Sequence, residues 1–165
     1  MEDNRDLIRR LAVAFNIADG AYYRLARSSG VSWHTLSLLY ALDDGQPHSQ
    51  KQICQEWLIP KTTINTVVKS CEKAGYVTLQ AMPGRTRQRQ ICLTEAGRDY
   101  AKQTLDGMYR AEEAAMAGTL GQFSPEFVSA LERFAEELRL AAGETPPRSR
   151  EKDFESFESK ESCSL

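Results

Sequence analysis

Apolar residues recur at helical spacing in the first quarter of the chain. Positions three and four apart share a helix face, so this spacing predicts an amphipathic helix over residues about 4–28. Its apolar side consists of Leu7, Ile8, Leu11, Phe15, Tyr22 and Leu25. Ser28-Ser29-Gly30 ends this helix. Ser32 is a suitable N-cap for a second helix over about 33–43.

Two shorter helices follow, separated by a tight connector. The Ser-x-x-Gln pattern that begins at Ser49 is a capping box and predicts a helix over about 50–57. Leu58-Ile59-Pro60 interrupts it, and Lys61–Ala74 is predicted to be helical with Gly75 as its C-cap. Two helices joined by a turn of three or four residues form a helix-turn-helix.

The apolar period then changes to two. Val77, Leu79 and Ala81 alternate with polar residues, which is typical of a half-buried strand. Pro83-Gly84 is a turn signal, and Gln88–Leu93 is predicted to be the returning strand of a hairpin.

Two more amphipathic helices are predicted before the composition changes. Thr94 caps the first, over about 95–118, and Ser124-Pro125 begins the second, which ends at Gly143. Residues 144–165 are rich in Pro, Ser and charge, and we expect a disordered tail there.

These elements predict a mainly α (α+β) fold with one domain over residues 1–143. Residues 31–94 form a winged helix-turn-helix lobe with a two-stranded wing. The long helices within 5–30 and 95–143 are amphipathic and too few to seal a core by themselves, so we expect them to form a dimerisation layer.

The composition narrows the class of protein. Hydrophobic residues make up 41% of the 165 residues, which is enough for a core. No apolar run approaches the roughly 20 residues of a membrane span, so we expect a cytoplasmic protein without a membrane partner. The four cysteines contain no Cys-x-x-Cys pair, and the two histidines have no ligand neighbours at useful spacing; we expect no metal site and no cofactor.

Charge is unevenly distributed. The net charge is −2, but the segment from Ser49 to Thr94 contains seven basic and two acidic residues, which gives it +5. A basic segment within an acidic chain is consistent with a local nucleic-acid surface. There is no nucleophile–base pair, Gly-rich phosphate loop or pair of carboxylates in an apolar frame, so we do not expect an enzyme.

Two stretches of this middle region resemble the MarR family of bacterial transcription regulators. In Leu58–Val77, the segment Cys71-Glu72-Lys73-Ala74-Gly75-Tyr76 is similar to the Leu-Glu-Lys-x-Gly-hydrophobic end of the family's recognition helix. Leu93-Thr94-Glu95-Ala96-Gly97 matches the Leu-Thr-x-x-Gly pattern after the wing. The resemblance covers residues 5–142. It implies a homodimeric DNA-binding regulator, a repressor, that recognises a pseudo-palindromic operator.

The chain departs from the family pattern at two places. The family often has Asp-x-Arg in the wing, and Arg85 and Arg87 occupy those positions here, so the aspartate that braces the wing arginine is absent. The family's recognition helix often carries arginine where this chain has Thr66 and Ser70, which indicates a different base preference.

The resemblance assigns the DNA contacts to three segments. They are Ser49 and Gln50 before the first short helix, Lys61, Thr62, Thr63, Asn65, Thr66 and Lys69 on the recognition helix, and Arg85, Arg87 and Arg89 in the wing. Asn65 is suited to bidentate bonding with adenine N6 and N7. Arg87 is expected in a minor groove. A solvated hairpin and a merely polar helix face are the alternatives for these residues.

Four aromatic residues are candidates for a small-molecule cleft. Phe15, Tyr22, Trp33 and Tyr40 would lie between the first helices and the DNA-binding lobe, where the family often binds phenolic ligands. A small aromatic effector is therefore a further expected partner, with plain core packing as the alternative. For the whole chain, the alternative function is a winged-helix module that binds protein and not DNA.

Overall fold

The computed structural model describes residues 3–82 and 85–143. These ranges form six helices and three strands, in the order α1 (Asn4–Ser28), α2 (Trp33–Leu42), β1 (His48–Ser49), α3 (Gln50–Glu56), α4 (Lys61–Lys73), β2 (Val77–Met82), β3 (Arg85–Leu93), α5 (Glu95–Leu120) and α6 (Glu126–Ala141). The predicted fold class is confirmed: the chain is mainly helical with a small antiparallel sheet. The predicted Pro83-Gly84 turn and the predicted tail lie outside the described residues.

Capping bonds place the helix ends close to where the sequence predicts them. The Ser32 hydroxyl oxygen accepts a hydrogen bond from the Thr35 amide at 3.1 Å. Ser49 and Gln52 form a complete capping box, with bonds of 3.2 Å and 2.8 Å. Gly75, at φ +80°, ends α4 in a left-handed conformation that favours glycine.

The sheet contains a strand that the sequence does not predict. β1 pairs with β3, so the strand order is β1-β3-β2. His48 lies opposite Ile91, and Ser49 lies opposite Gln90. A strand of two residues is too short to show a period of two, so no sequence pattern reveals it. β3 also begins at Arg85, three residues before the predicted start.

The core of the winged lobe lies between α2, α3, α4 and the sheet. Each helix and strand around this core contributes a side chain that is at most 1% exposed. The side chains are Leu38, Ile53, Ile64, Val77 and Ile91. Full burial of such a side chain is worth about 2 kcal/mol. The helix-turn-helix and the wing are therefore held on one continuous core.

A second core joins α1, α2 and α5. Leu36 and Leu39 of α2 pack there with Ala26 of α1 and Leu105 of α5. Six of the ten residues of α2 are buried, as is typical of a helix surrounded by other elements. α2 is therefore shared between the two cores.

The described chain divides into two compact units between Met116 and Ala117. The second unit contains the end of α5 and all of α6. The sequence predicts Ser124 as the N-cap of α6 with Pro125 at the first helical position, but Pro125 itself occupies the N-cap, so the helix begins one residue later than predicted. The Ser124 hydroxyl oxygen still accepts from the Glu126 amide at 3.2 Å. Within α6 no residue is buried, and Leu138 is 58% exposed.

Candidate nucleic-acid interface and cavity

The two faces of α4 differ in chemistry. Ile64, Val68 and Cys71 are buried. The opposite side is polar and exposed at Lys61, Thr62, Asn65, Thr66 and Lys69, and Thr63 is half-buried. The helix therefore presents amide, hydroxyl and ammonium groups to its surroundings while its apolar side holds it on the core.

The N-terminus of α4 has no side-chain cap. Pro60 occupies the N-cap position, and the first helical bond runs from the Ile64 amide to the Pro60 carbonyl at 3.0 Å. The amides of Lys61, Thr62 and Thr63 therefore precede the first amide that donates within the helix, and they have no acceptor in it. Together with the helix dipole, they create a positive potential that suits a phosphate.

The connector before α4 is strained at Leu58. Its φ is 49°, a positive value that no other non-glycine residue among those described adopts. A side chain rarely adopts this region of backbone space. The turn leaves Leu58 85% exposed and brings Ile59 into the core at 4% exposure.

The start of α3 lies beside the wing. Ser49 is both the N-cap of α3 and the residue opposite Gln90 of β3. Its hydroxyl oxygen and its amide are both used in the capping box, so the hydroxyl proton remains as its donor group. Ser49 and Gln50 are each half-buried. The sheet thus brings these two residues and the wing into one surface.

The wing arginines are placed by their backbone. Arg85 and Arg87 belong to β3, but their side chains lie outside the described residues. Arg89 is exposed and lies opposite Ala81. The next pair is Met82 with Arg85, so β3 has three residues, including Arg87, with no counterpart in β2. Arg87 therefore lies in the middle of a bulge.

Thr94 fastens the end of α4 to the start of α5. Its hydroxyl donates to the Gly75 carbonyl at 2.6 Å and accepts from the Gly97 amide at 2.9 Å. Its own amide donates to the Tyr76 carbonyl at 3.0 Å. The Leu-Thr-x-x-Gly pattern is therefore a structural connection between the wing, α4 and α5.

A cavity of about 300 Å³ lies beside α1, α2 and α5. Its aromatic lining is Tyr22, Trp33, Tyr40 and Trp57, its acidic lining is Asp19 and Glu112, and Leu36, Ser37 and Met108 complete it. Three of the four sequence candidates are thus brought together. Phe15 is not among the lining residues; it lies on α1 with 38% exposure.

The cavity wall is organised by contacts between distant parts of the chain. The Tyr22 hydroxyl donates to Glu112 Oε1 at 2.8 Å. Burial, together with Glu112, raises the pKa of Tyr22 to about 12. Tyr40 packs edge-on against Trp57, with ring centroids 5.3 Å apart. Trp57 is the C-cap of α3, so the cavity wall includes part of the helix-turn-helix.

Sequence reasoning missed six of the nine lining residues, and these are Asp19, Leu36, Ser37, Trp57, Met108 and Glu112. Asp19 lies three positions before Tyr22, and Glu112 four positions after Met108, so each shares a helix face with another lining residue. That spacing is a usable signal within one helix. The contact between Tyr22 and Glu112 joins residues 90 positions apart, and no local pattern predicts it. Trp57 lines the cavity beside Tyr40, with which it is in edge-on contact.

Two cysteines of the helix-turn-helix and His48 are candidates for chemistry. Burial raises the pKa of the Cys54 and Cys71 thiols. His48 is buried, and its Nε2 lies 2.9 Å from Asp44 Oδ1. Within residues 3–82 and 85–143, no three His, Cys, Asp or Glu side chains are grouped so that they could hold a metal ion.

Comparison with protein families gives a match within the winged lobe. The model of the MarR family matches residues 29–88. This range contains α2, α3, α4 and β2 and ends within β3. A comparison with curated proteins finds no match.

Solved structures extend the likeness to most of the chain. The MarR family regulator NMB1585 from Neisseria meningitidis is 20% identical, with 83% of this chain and 96% of that chain covered and a TM-score of 0.72. The transcriptional regulator BldR from Sulfolobus solfataricus is 16% identical over 83% of this chain and 99% of that chain, with a TM-score of 0.64. The structure of overoxidized AbfR bound to DNA is 17% identical, with 84% of this chain and 96% of that chain covered and a TM-score of 0.58. At these identities the likeness concerns the fold.

None of the helices in the described ranges combines the length and the apolar content that a bilayer crossing requires.

Proposed function

We propose that this protein is a transcription regulator of the MarR family: a cytoplasmic homodimer that binds duplex DNA sequence-specifically, represses transcription and is released by a small-molecule effector. The observation that carries the proposal is the exposed polar face of α4. A helix that buries Ile64 and Val68 and exposes Asn65, Thr66 and Lys69 has the chemistry of a recognition helix.

Base recognition is assigned to the middle of α4. Asn65 is exposed, and its amide offers the donor and acceptor that adenine N6 and N7 require. The Thr66 hydroxyl donates to the Thr62 carbonyl at 3.1 Å, which leaves Thr66 Oγ1 as an acceptor. The methyl groups of these threonines suit the methyl group of thymine.

Phosphate binding is assigned to the edges of the same surface. The open N-terminus of α4, with Lys61, Thr62 and Thr63, supports one phosphate contact. Ser49 and Gln50 support a second, on the side of the wing. In the wing, Arg87 enters the minor groove and Arg85 and Arg89 hold the flanking phosphates.

The dimer is supported by apolar residues that the single chain leaves exposed. α6 is amphipathic but buries no residue, and Leu138 is 58% exposed. On α1, Ile8 and Ile17 are also exposed. Apolar side chains in such numbers are typical of an interface with a second copy. Two-fold symmetry then requires a pseudo-palindromic operator with half-sites about one helical turn apart.

Release by an effector is supported by the position of the cavity. Its walls come from α1 and α5 on one side, and from Tyr40 and Trp57 on the side of the helix-turn-helix. A ligand that moves Trp57 against α5 would change the spacing of the two recognition helices. The effector can shift the equilibrium between the DNA-binding conformation and the released conformation only if it binds the two with different affinity.

The test is fluorescence anisotropy of the purified protein on the duplex upstream of its own gene, beside a scrambled duplex of equal length, over a range of salt concentrations. We expect nanomolar binding, a preference of about 1,000-fold, and a salt slope of about 0.9 per phosphate contact. Weak and equal binding to both duplexes calls for selection from a random duplex pool. If that selection enriches no sequence, the proposal fails, and a winged helix that binds protein is favoured.

Arg87→Ala tests the wing on the same duplex. We expect weaker binding, most of all where the flanking sequence is rich in A·T, because a narrow minor groove concentrates negative potential. Arg110→Ala, which removes an exposed arginine of α5, is the matched control. Equal affinity of the two variants would remove the minor-groove assignment.

A further inference from the structure

The cavity beside α1, α2 and α5 is lined by groups of one electrostatic sign. Its charged lining residues are Asp19 and Glu112, and both are acidic; among the described residues no lysine, arginine or histidine lines it. The faces of aromatic rings carry partial negative charge as well. Four such rings line this cavity, so rings and carboxylates attract the same kind of ligand.

We propose that the cavity binds a small lipophilic cation, of the class of protonated arylalkyl amines and quaternary ammonium compounds, and disfavours phenolates and carboxylates. This inference rests on the proposed function in one respect, since it takes the cavity to be the effector site. It replaces the expectation of a phenolic ligand with one that follows from the charges of this chain.

The aromatic rings that line the cavity lie at different angles to one another. Tyr22 and Trp33 are tilted by 41° with centroids 5.8 Å apart, and Tyr40 and Trp57 meet at 75° with centroids 5.3 Å apart. A cation within about 6 Å of a ring centroid is attracted to the ring face. Walls at different angles therefore allow one cation to face more than one ring.

Glu112 is held in position by the wall. Its Oε1 accepts the Tyr22 hydroxyl at 2.8 Å, and its side chain is half-buried. A charge that is partly removed from water is less screened by salt than a surface charge. Asp19 is exposed, so it contributes mainly to attracting a cation from solution.

The pKa values of the two tyrosines that line the cavity show the effect of Glu112. Burial, and after it Glu112, raises the pKa of both Tyr22 and Tyr40, so both favour the neutral phenol. The carboxylate of Glu112 disfavours a phenolate ligand in the same cavity, because both groups are negatively charged. It attracts a cation.

The two tryptophans of the chain, Trp33 and Trp57, both line the cavity, so intrinsic fluorescence reports directly on its occupation. The full-length protein is titrated with benzyltrimethylammonium and, separately, with benzoate at equal ionic strength and neutral pH. We expect the cation to bind at least about tenfold more tightly than the anion.

Charge-neutral variants test the role of the carboxylates. Glu112→Gln keeps an oxygen acceptor for Tyr22 and removes the charge, and we expect it to weaken binding of benzyltrimethylammonium by about tenfold. Asp19→Asn weakens it by a smaller factor. Glu113→Gln is the matched control, because Glu113 is the next residue, is exposed and does not line the cavity. We expect it to leave the affinity unchanged.

Three results would overturn the inference. The first is that benzoate binds as tightly as benzyltrimethylammonium, and the second is that Glu112→Gln and Glu113→Gln bind the cation with equal affinity. The third is that neither probe changes the fluorescence of the folded protein or releases heat in calorimetry. DNA affinity is measured on the same samples. If the cation binds as expected but the protein binds no duplex, the proposed function fails and the inferred ligand class stands. If benzoate is preferred and the duplex is bound, the inferred ligand class fails and the proposed DNA binding stands.

Discussion

Gly97 lies so close to Tyr76 that a Cβ atom on Gly97 would be 1.8 Å from the Tyr76 carbonyl oxygen. Gly97 is in the first turn of α5, and Tyr76 directly follows the left-handed Gly75 that ends α4. Glycine is needed here for space. Since α4 carries the proposed DNA surface, this contact fixes the position of that surface relative to α5.

Gly97→Ala should lower the free energy of unfolding by about 3 kcal/mol, because the Tyr76 main chain has to move to admit the methyl group. Gly107→Ala is the control on the same helix. A Cβ on Gly107 meets no atom within 4 Å, so this change should be neutral or stabilise by up to about 1 kcal/mol. Urea unfolding of both variants at one protein concentration measures the difference, and equal stability of the two would contradict the contact.

Thr94→Val should cost about 1–2 kcal/mol of stability, because it removes the bonds from the Thr94 hydroxyl to the Gly75 carbonyl and from the Gly97 amide to that hydroxyl. Thr94→Ser keeps the hydroxyl and should lose much less. Comparing their urea midpoints separates the hydrogen bonds from the side-chain volume. A Ser variant as unstable as the Val variant would show that the methyl group, and not the hydroxyl, matters.

The helices were predictable because their signals are local. Ser32, the Ser49 capping box and Gly75 each act within one or two turns, and the structure confirms all three. The buried face of α4 follows from spacing alone for the same reason. β1 has no such signal, because it exists only through pairing with residues of β3 more than 40 positions later.

The candidate site divides in the same way. The polar face of α4 is visible in the sequence because it is the complement of an apolar face with helical spacing. The acidic character of the cavity is not visible, since it depends on Glu112 meeting Tyr22 from 90 positions away. Phe15 has the same apolar spacing as Tyr22, but its side chain lies outside the cavity lining.

Lys69→Ala should reduce the salt slope of DNA binding by about 1.8 per dimer, because one phosphate contact, worth about 0.9, is lost from each of the two copies of α4. Lys102→Ala, an exposed lysine of α5 outside the basic segment, should leave the slope unchanged. Asn65→Ala should instead weaken discrimination at one base pair by about 1–3 kcal/mol with little change in slope. Anisotropy on the selected duplex and on single-base variants separates the two effects; identical behaviour of Lys69→Ala and Lys102→Ala would count against the assigned face.

The burial of Tyr22, together with its bond to Glu112, should make the free energy of unfolding depend on pH. The pKa of Tyr22 is raised from 10.0 to about 12 in the folded protein, so its stabilising contribution is complete below pH 10 and is lost as the pH rises from 10 to 12. The difference in unfolding free energy between the unmodified protein and Tyr22→Phe should therefore be largest below pH 10 and shrink above it. Glu112→Gln should narrow the window by lowering the pKa of Tyr22. Urea unfolding across this range is the measurement, and a difference that stays constant with pH would be evidence against the shift.

Leu138→Glu should convert the dimer to a monomer. Leu138 lies on the apolar face of α6 and is 58% exposed in the single chain, so in the proposed interface a glutamate would be buried against apolar groups without a partner. Ser129→Glu adds the same charge to the polar face of α6, which is exposed at that residue, and should leave the dimer intact. Light scattering during size-exclusion chromatography measures the mass of each variant, and operator affinity should fall together with the mass because two half-sites are no longer bound at once. A dimeric Leu138→Glu protein would show that α6 lies outside the interface, and a monomeric unmodified protein would remove the symmetric operator from the proposal.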